Sequence, residues 1–567
     1  MRTPSHALAP ETLAALLGGG GGSTAVEELR AGERSWRLLV VRAVLDVAPA
    51  GRAGPLPPPG DGWRLLTRAW TADARAAERV LAYPAVGVWA AHTLRRLRGS
   101  ATDEAPLWVH TGHLHALAAS AAVLAGIAFR TDVPVRDGWV VLPLVGALRL
   151  PEEGGGHGWG VAEVAGDGAG RVTVAGRDVP GPGWHTPTAL RADGCALLLD
   201  DLDPYRALRG PAAPEPLGSA DDWRELFAGA WRVLRETGAE EADALARGLS
   251  VVVPRPRTER FRPHSASSGD AFGAALASVP DDAEQFASTL VHEFQHNKLS
   301  ALMHLFTLHD DPGTRLHYAP WRDDPRPLGG LLQGVYAFHG VTGFWRRREH
   351  PLGRFEFALW RAQTAYALRA LAGDGGLTDL GRRLVAELTE RLTPWLSEPV
   401  DPRVRAAADL AARDHRATWR AYHLRPDPGT VHAHAESLER GTPPPTLVPG
   451  RPTRGLDTRA VLLRRLLADP EGLNGLDDDP GAVVEGARPE DVALVTGRTA
   501  EALEAFRDRI VRGDGDPESW TGLALAAHAT GDPAGEALLA APERALALYA
   551  RLGGRGRDPL ELGRRLG

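Results

Sequence analysis

Cysteine is almost absent: Cys195 is the only one in 567 residues. With no second thiol the chain can close no internal disulfide and build no cysteine-based metal cage, so a reducing cytoplasm is the expected setting. Lysine is as scarce, since Lys298 stands alone and arginine carries the remaining positive charge. That bias toward Ala, Gly, Arg and Pro reflects a GC-rich coding background. No apolar run reaches the roughly 20 residues needed to cross a bilayer. The N-terminal Met1-Arg-Thr-Pro-Ser-His-Ala-Leu lacks the apolar core of a signal peptide. No membrane association is therefore expected. A formal net charge of −7 and a pI near 6.3 weigh against a nucleic-acid partner. What remains is an ordinary globular composition, 43% hydrophobic and 24% charged, with ample material for a core. The length suggests about three or four domains.

Patterning divides the chain into four regions. Residues 1–130 read as helical, with patterns over Val26–Val47 and Asp73–Leu97 and an Ala-rich helix over Ala116–Ala128. His110, His113 and His115 precede that helix; Gly112 interrupts them and no acid is adjacent, so they read as surface or core histidines. Residues 131–217 form a small β-rich subdomain of short strands punctuated by Gly and Pro. It closes on the strand from Cys195 and an acidic turn with Asp200, Asp201 and Asp203. Residues 218–400 form the candidate catalytic domain, and 401–567 are helical again, loosely repeat-like, with a Pro-rich break at 441–454. The expected fold class is α+β, mainly α-helical, with a central helical metal-site domain.

The centre of the third region reads Leu290-Val-His292-Glu293-Phe-Gln-His296-Asn-Lys-Leu299. On a helix, residues four apart lie above one another, so His292 and His296 share a face and can take adjacent corners of one metal ion. Glu293 sits about 100° round the helix, within reach of a water beside that ion. Asp282 as N-cap, with Gln285 three residues on, predicts where the helix starts. Just before it, Phe272–Val279 reads as an edge strand able to grip an extended peptide.

The third ligand is not evident. The metzincin extension requires glycine and histidine where Leu299 and Leu302 stand, which excludes that class. A gluzincin needs a downstream helical glutamate, and none lies between His296 and Glu349. Gln333, Tyr336 and His339 on the helix Leu328–Trp345, and His309, Asp310, Asp311, His317, Asp323 and Asp324 in the loops, are the alternatives. The segment from Leu316 to Pro327, with three prolines, reads as a stiff non-helical loop that either packs a corner or presents Arg322 and Arg326 to an anion. A zinc site hydrolyses with Glu293 as base. A non-haem iron site leaves positions open for a cosubstrate and O2. In that case Arg322, Arg326 and Tyr318 are available to the far carboxylate of 2-oxoglutarate. Spacing alone does not choose between the metals.

Four stretches carry a resemblance: Asp270-Ala-Phe-Gly-Ala, the His292–His296 segment, Tyr318-Ala-Pro-Trp-Arg-Asp-Asp-Pro-Arg-Pro, and Leu331-Leu-Gln-Gly-Val-Tyr-Ala-Phe. With Leu199-Asp-Asp-Leu-Asp-Pro-Tyr-Arg, they resemble the HEXXH-motif peptide-modification family over roughly residues 200–345. Its members are associated with ribosomally synthesised, post-translationally modified peptides, including FxSxx-type clusters that also encode a radical-SAM maturase. The resemblance implies iron(II)- and 2-oxoglutarate-dependent hydroxylation at the β-carbon of a residue in a precursor peptide. It carries His292 and His296 over as metal ligands and Glu293 as the motif acid. No third ligand carries over; the sequence reading takes His339, which a second helix can aim at the pair. A zinc metallopeptidase and a non-catalytic adaptor of a peptide-maturation complex are the rival expectations.

Overall fold

The computed structural model describes residues 7–48, 53–151, 158–207, 210–436, 443–469, 479–554 and 557–566. Helices hold 57% of the chain and strands 12%, so the fold is α+β and mainly α-helical, as expected. The backbone divides once, between Phe306 and Thr307. That boundary falls inside the stretch 218–400 expected to form one domain. The physical reason is that the His292–His296 helix buries its apolar side in the core of the first unit.

The first unit opens with α1 (Pro10–Leu17), α2 (Gly22–Val47), α3 (Pro59–Ala72), α4 (Ala74–Leu81), α5 (Pro84–Leu97) and α6 (Leu107–Leu124). The pattern expected as one helix over 73–97 is two, because Pro84 has no N–H to continue the ladder beyond Tyr83. His110, His113 and His115 lie inside α6 and are buried, not ahead of it. Gly112 does not interrupt this helix. It is where the Leu56 side chain fits, and a Cβ there would meet Leu56 Cδ1 at 2.2 Å.

Strands β1 (Ala128–Arg136), β2 (Trp139–Leu142), β3 (Gly146–Arg149), β4 (Trp159–Asp167), β5 (Val172–Val174), β6 (Arg177–Val179) and β7 (Trp184–His185) make an antiparallel sheet ordered β6-β5-β4-β1-β2-β3-β7. Then come β8 (Thr188–Ala192), β9 (Cys195–Leu199), α7 (Asp221–Thr237), α8 (Ala239–Gly248), β10 (Val251–Arg255), β11 (Ser265–Ala266), β12 (Ala274–Ser278) and α9 (Ala283–Leu305). The second sheet is ordered β11-β12-β10-β9-β8, with β9, β10 and β12 parallel. Thus the last strands of the β-rich stretch join the sheet that leads to α9. The expected edge strand is not an edge. β12 pairs with β10 along its whole length and with β11 at Leu276 and Ala277, and all five of its residues are buried. The acidic turn is as expected: Asp200 accepts from the backbone N–H groups of Leu202 and Asp203, and Tyr83 donates to it.

The second unit contains a hairpin, β13 (Leu316–His317) with β14 (Arg326–Pro327), followed by α10 (Leu328–Trp345), α11 (Pro351–Ala372), α12 (Asp379–Leu396) and α13 (Pro402–His423). Next are β15 (Leu424–Arg425), α14 (Pro428–Ala435), β16 (Thr446–Leu447) and α15 (Thr458–Ala468). The β16 strand belongs to the Pro-rich break, of which 441 and 442 lie outside the described residues. Helices α16 (Pro489–Val495), α17 (Thr499–Arg512), α18 (Pro517–Ala529), α19 (Ala534–Ala540), α20 (Pro542–Arg551) and α21 (Pro559–Leu566) complete it. The loop inside the hairpin packs a corner: Trp321 stacks on Phe338 with centroids 4.7 Å apart, over Gly334, where a Cβ would collide with the indole. No described helix is long and apolar enough to cross a membrane.

Candidate metal centre

Helix α9 begins where its caps place it. Asp282 accepts from the Gln285 N–H at 2.8 Å, and the Gln285 side chain reaches back to the Asp281 N–H at 3.2 Å, one residue beyond the usual box. Phe286, Leu290, Leu299 and Leu302 are fully buried, and Phe286 meets Trp223 and Phe227 of α7 edge-on. Asn297 fixes the helix to the strand before it. Its Oδ1 accepts from the Gly273 N–H at 2.6 Å, and its Nδ2 donates to the Ala274 carbonyl at 3.1 Å. On another side of α9, Lys298 Nζ donates to the carbonyls of Gly19 and Gly20, both at 2.9 Å, and Gln295 donates to Gly19 at 3.1 Å. The sole lysine therefore anchors the glycine turn between α1 and α2.

With the helix held on these sides, His292 and His296 share a face. Their Nε2 atoms are 3.0 Å apart and the rings stand edge to face at 81°. Two nitrogens bound to one cation at about 2.0–2.1 Å each have that separation. Burial, and then the neighbouring His296, push the His292 imidazolium well below its ordinary range, so the ring is held in the neutral form a metal requires. Glu293 is fully buried, with Oε1 3.9 Å from His292 Nε2. Neither of its carboxylate oxygens has a hydrogen-bond partner among the described residues. A buried carboxylate in that state is costly unless a cation compensates it. The donor set and the carboxylate beside it thus fit a divalent metal.

The other expected site residues belong to the second unit. Arg322 Nε and Arg326 Nη1 donate to the two oxygens of one carboxylate, Asp324, at 2.9 and 3.0 Å. The forks expected to hold an anion already hold one from their own loop. The Tyr318 hydroxyl is 2.9 Å from His415 Nδ1, in an aromatic cluster with Tyr366 and Trp419. His339 lies on α10, buried and stacked on Trp395 at 5.1 Å. Of the loop alternatives, His317 faces Asp374 at 3.5 Å, and Asp311 caps the Gly313 N–H.

One constellation escaped the sequence reading. His92, Asp103 and His110 place three potential ligand atoms within 4.8 Å of one another in the first unit. The acid that His110 lacks among its neighbours stands seven residues upstream, across a helix start. No family model matches the chain, and no curated protein matches it.

Proposed function

We propose that this chain is an iron(II)- and 2-oxoglutarate-dependent hydroxylase acting at the β-carbon of a residue in a ribosomally made precursor peptide. The observation that carries the reading is the pair of Nε2 donors 3.0 Å apart on α9, in a sequence with no histidine at the metzincin position 302 and no glutamate between His296 and Glu349. Two imidazoles without that peptidase ligand set suit a metal that keeps open positions. The resemblance over residues 200–345 supplies the substrate class. Iron(II), when bound, supplies the oxidative chemistry: O2 and 2-oxoglutarate are consumed, succinate and CO2 leave, and one oxygen enters a C–H bond. His292 and His296 would hold the ion through their Nε2 atoms, and Glu293 would balance charge beside it and orient the groups around it. The sequence reading takes His339 as third ligand and Arg322, Arg326 and Tyr318 for the cosubstrate carboxylate; in the second unit both arginines are paired with Asp324. A radical-SAM maturase is the partner that the resemblance suggests, and the cytoplasm is the compartment that the cysteine content suggests.

The test is anaerobic reconstitution with iron(II), followed by O2, 2-oxoglutarate and the precursor peptide encoded beside the gene. The expected result is a gain of one oxygen atom by mass spectrometry, matched by succinate and abolished by His296→Ala. Peptide fragments formed with zinc alone, and lost in Glu293→Gln while zinc is retained, would replace this reading with a metallopeptidase. That rival rests on the placement of Glu293 at 3.9 Å from His292 Nε2. An unmodified peptide bound equally by parent and His292→Ala would make the chain an adaptor.

A further inference from the structure

The second cluster is assembled from three separate segments. His92 lies on α5, His110 in the first turns of α6, and Asp103 in the loop between them. The loop is pinned. Asp103 Oδ1 accepts from the Ala105 N–H at 2.9 Å, and Arg96 Nη2 donates to the Ala105 carbonyl at 2.8 Å. Trp89 ties the helices together, its Nε1 donating to the His110 carbonyl at 2.7 Å. Asp103 is thereby aimed between two imidazoles, with Oδ2 2.6 Å from His92 Nε2 and Oδ1 3.1 Å from His110 Nε2. The far nitrogen of His110, Nδ1, is 2.9 Å from the Tyr205 hydroxyl. The Tyr205 backbone N–H is itself fixed by the buried Asp203 at 2.7 Å.

We propose that His92, Asp103 and His110 form a binding site for a single divalent transition cation of the zinc type, which clips α5 to α6. Two nitrogens and one carboxylate oxygen are a borderline donor set. They suit zinc and its first-row neighbours and do not suit Ca2+ or Mg2+, which take oxygen cages. The Tyr205 hydroxyl is the outer partner that fixes ring orientation in such sites. A hydroxyl accepts as well as donates, so Tyr205 can accept from the His110 Nδ1–H and turn the Nε2 lone pair toward Asp103. The burial is graded as an entry path requires: side-chain exposure is 0% for His110, 8% for His92 and 20% for Asp103. The alternative occupant is a proton in each His–Asp gap. Arg96, 3.7 Å from Asp103 Oδ1, and Arg136, which acts electrostatically on His110, are the cations that compete with a metal. Three donor atoms from three segments, all within 4.8 Å of one another, favour the metal.

The site is independent of the α9 histidines, and the test separates them. The full chain carrying His292→Ala and His296→Ala is stripped with chelator and titrated with Co2+. The expected result is one cobalt per chain, with visible d–d absorption, a raised melting temperature, and X-ray absorption showing two imidazoles and oxygen. Asp103→Asn or His92→Gln should weaken binding at least about a hundredfold, more than loss of an outer partner does. Should either variant fail to fold, the ligand count by X-ray absorption decides. No cobalt bound, cobalt without two imidazoles, or affinity unchanged in a folded Asp103→Asn chain would overturn the proposal.

Discussion

Glu293 and His304 lie three turns apart on α9 and present opposite electrostatic problems. Glu293 holds two buried oxygens without hydrogen-bond partners among the described residues. In chelator-treated protein, Glu293→Gln should raise stability by roughly 1–3 kcal/mol, because the amide, though still unpaired, carries no charge to be desolvated. With metal bound the gain should vanish. Urea midpoints with and without metal measure it, and equal midpoints for parent and variant in the stripped protein would show that the carboxyl group imposes no such cost. His304 Nδ1, by contrast, lies 2.7 Å from Glu33 Oε1 of α2 and stacks on Trp36. Burial works against its charge, but the hydrogen bond and charge of Glu33 prevail and raise its pKa. A raised folded pKa means that the pair stabilises most below the unfolded value of about 6.5, and that this is lost as pH rises through the folded value. The melting difference between parent and His304→Gln should therefore be larger at pH 5.5 than at pH 9. A difference independent of pH would deny the pair its charge.

Among the elements, α5 shows how tertiary contact reverses a local rule. Alanine in a helix is worth about 1 kcal/mol more than glycine. At Gly87, however, a Cβ would fall 1.9 Å from the Asp270 carbonyl oxygen, which is backbone and cannot swing away. Gly87→Ala should cost about 1–3 kcal/mol, as overpacking does, read from denaturant midpoints. A stabilised variant would mean that the 269–271 turn does not press on α5. The start of α9 was legible because its cap and apolar spacing agreed, and the apolar run of α10 was legible over Leu328–Trp345. The break at Pro84 was legible in principle from the proline alone. The place of His110 within α6 was not, since the Leu56 side chain that packs on Gly112 arrives from another segment. Nor was the position of β12 inside its sheet, because β11 has only two residues, too few for any periodicity.

At the scale of the whole molecule, each unit carries its own buried polar framework. In the second, Arg459 is fully buried and donates to Asp414, to Asp491 at 2.7 Å and to the Glu518 carbonyl at 2.7 Å. Arg459→Met leaves two buried carboxylates short of a partner and should cost about 3–5 kcal/mol. Hydrogen exchange across α15–α18 would register it, and unchanged protection would mean that the ions are solvated. Burial tends to raise the Asp491 carboxyl, yet Arg459 and Arg454 overcome it and hold it at about 2. A depressed carboxyl stabilises above the unfolded value near 4 and loses that contribution as pH falls through about 2. The stability gap between parent and Asp491→Asn should therefore narrow between pH 4 and pH 2.

The amino-acid sequence alone determined the helical character of the chain, the start of α9 and the pairing of His292 with His296. All three follow from spacing along one segment, where period and caps act locally. It also determined that the metzincin class is excluded, since Leu299 and Leu302 stand where that class needs glycine and histidine. Tertiary structure decided the rest. It decided that the buried Glu293 carboxylate has no hydrogen-bond partner among the described residues, that Arg322 and Arg326 close on Asp324, and that His92, Asp103 and His110 meet. Burial and convergence depend on which distant segments share a core, and no local period encodes that.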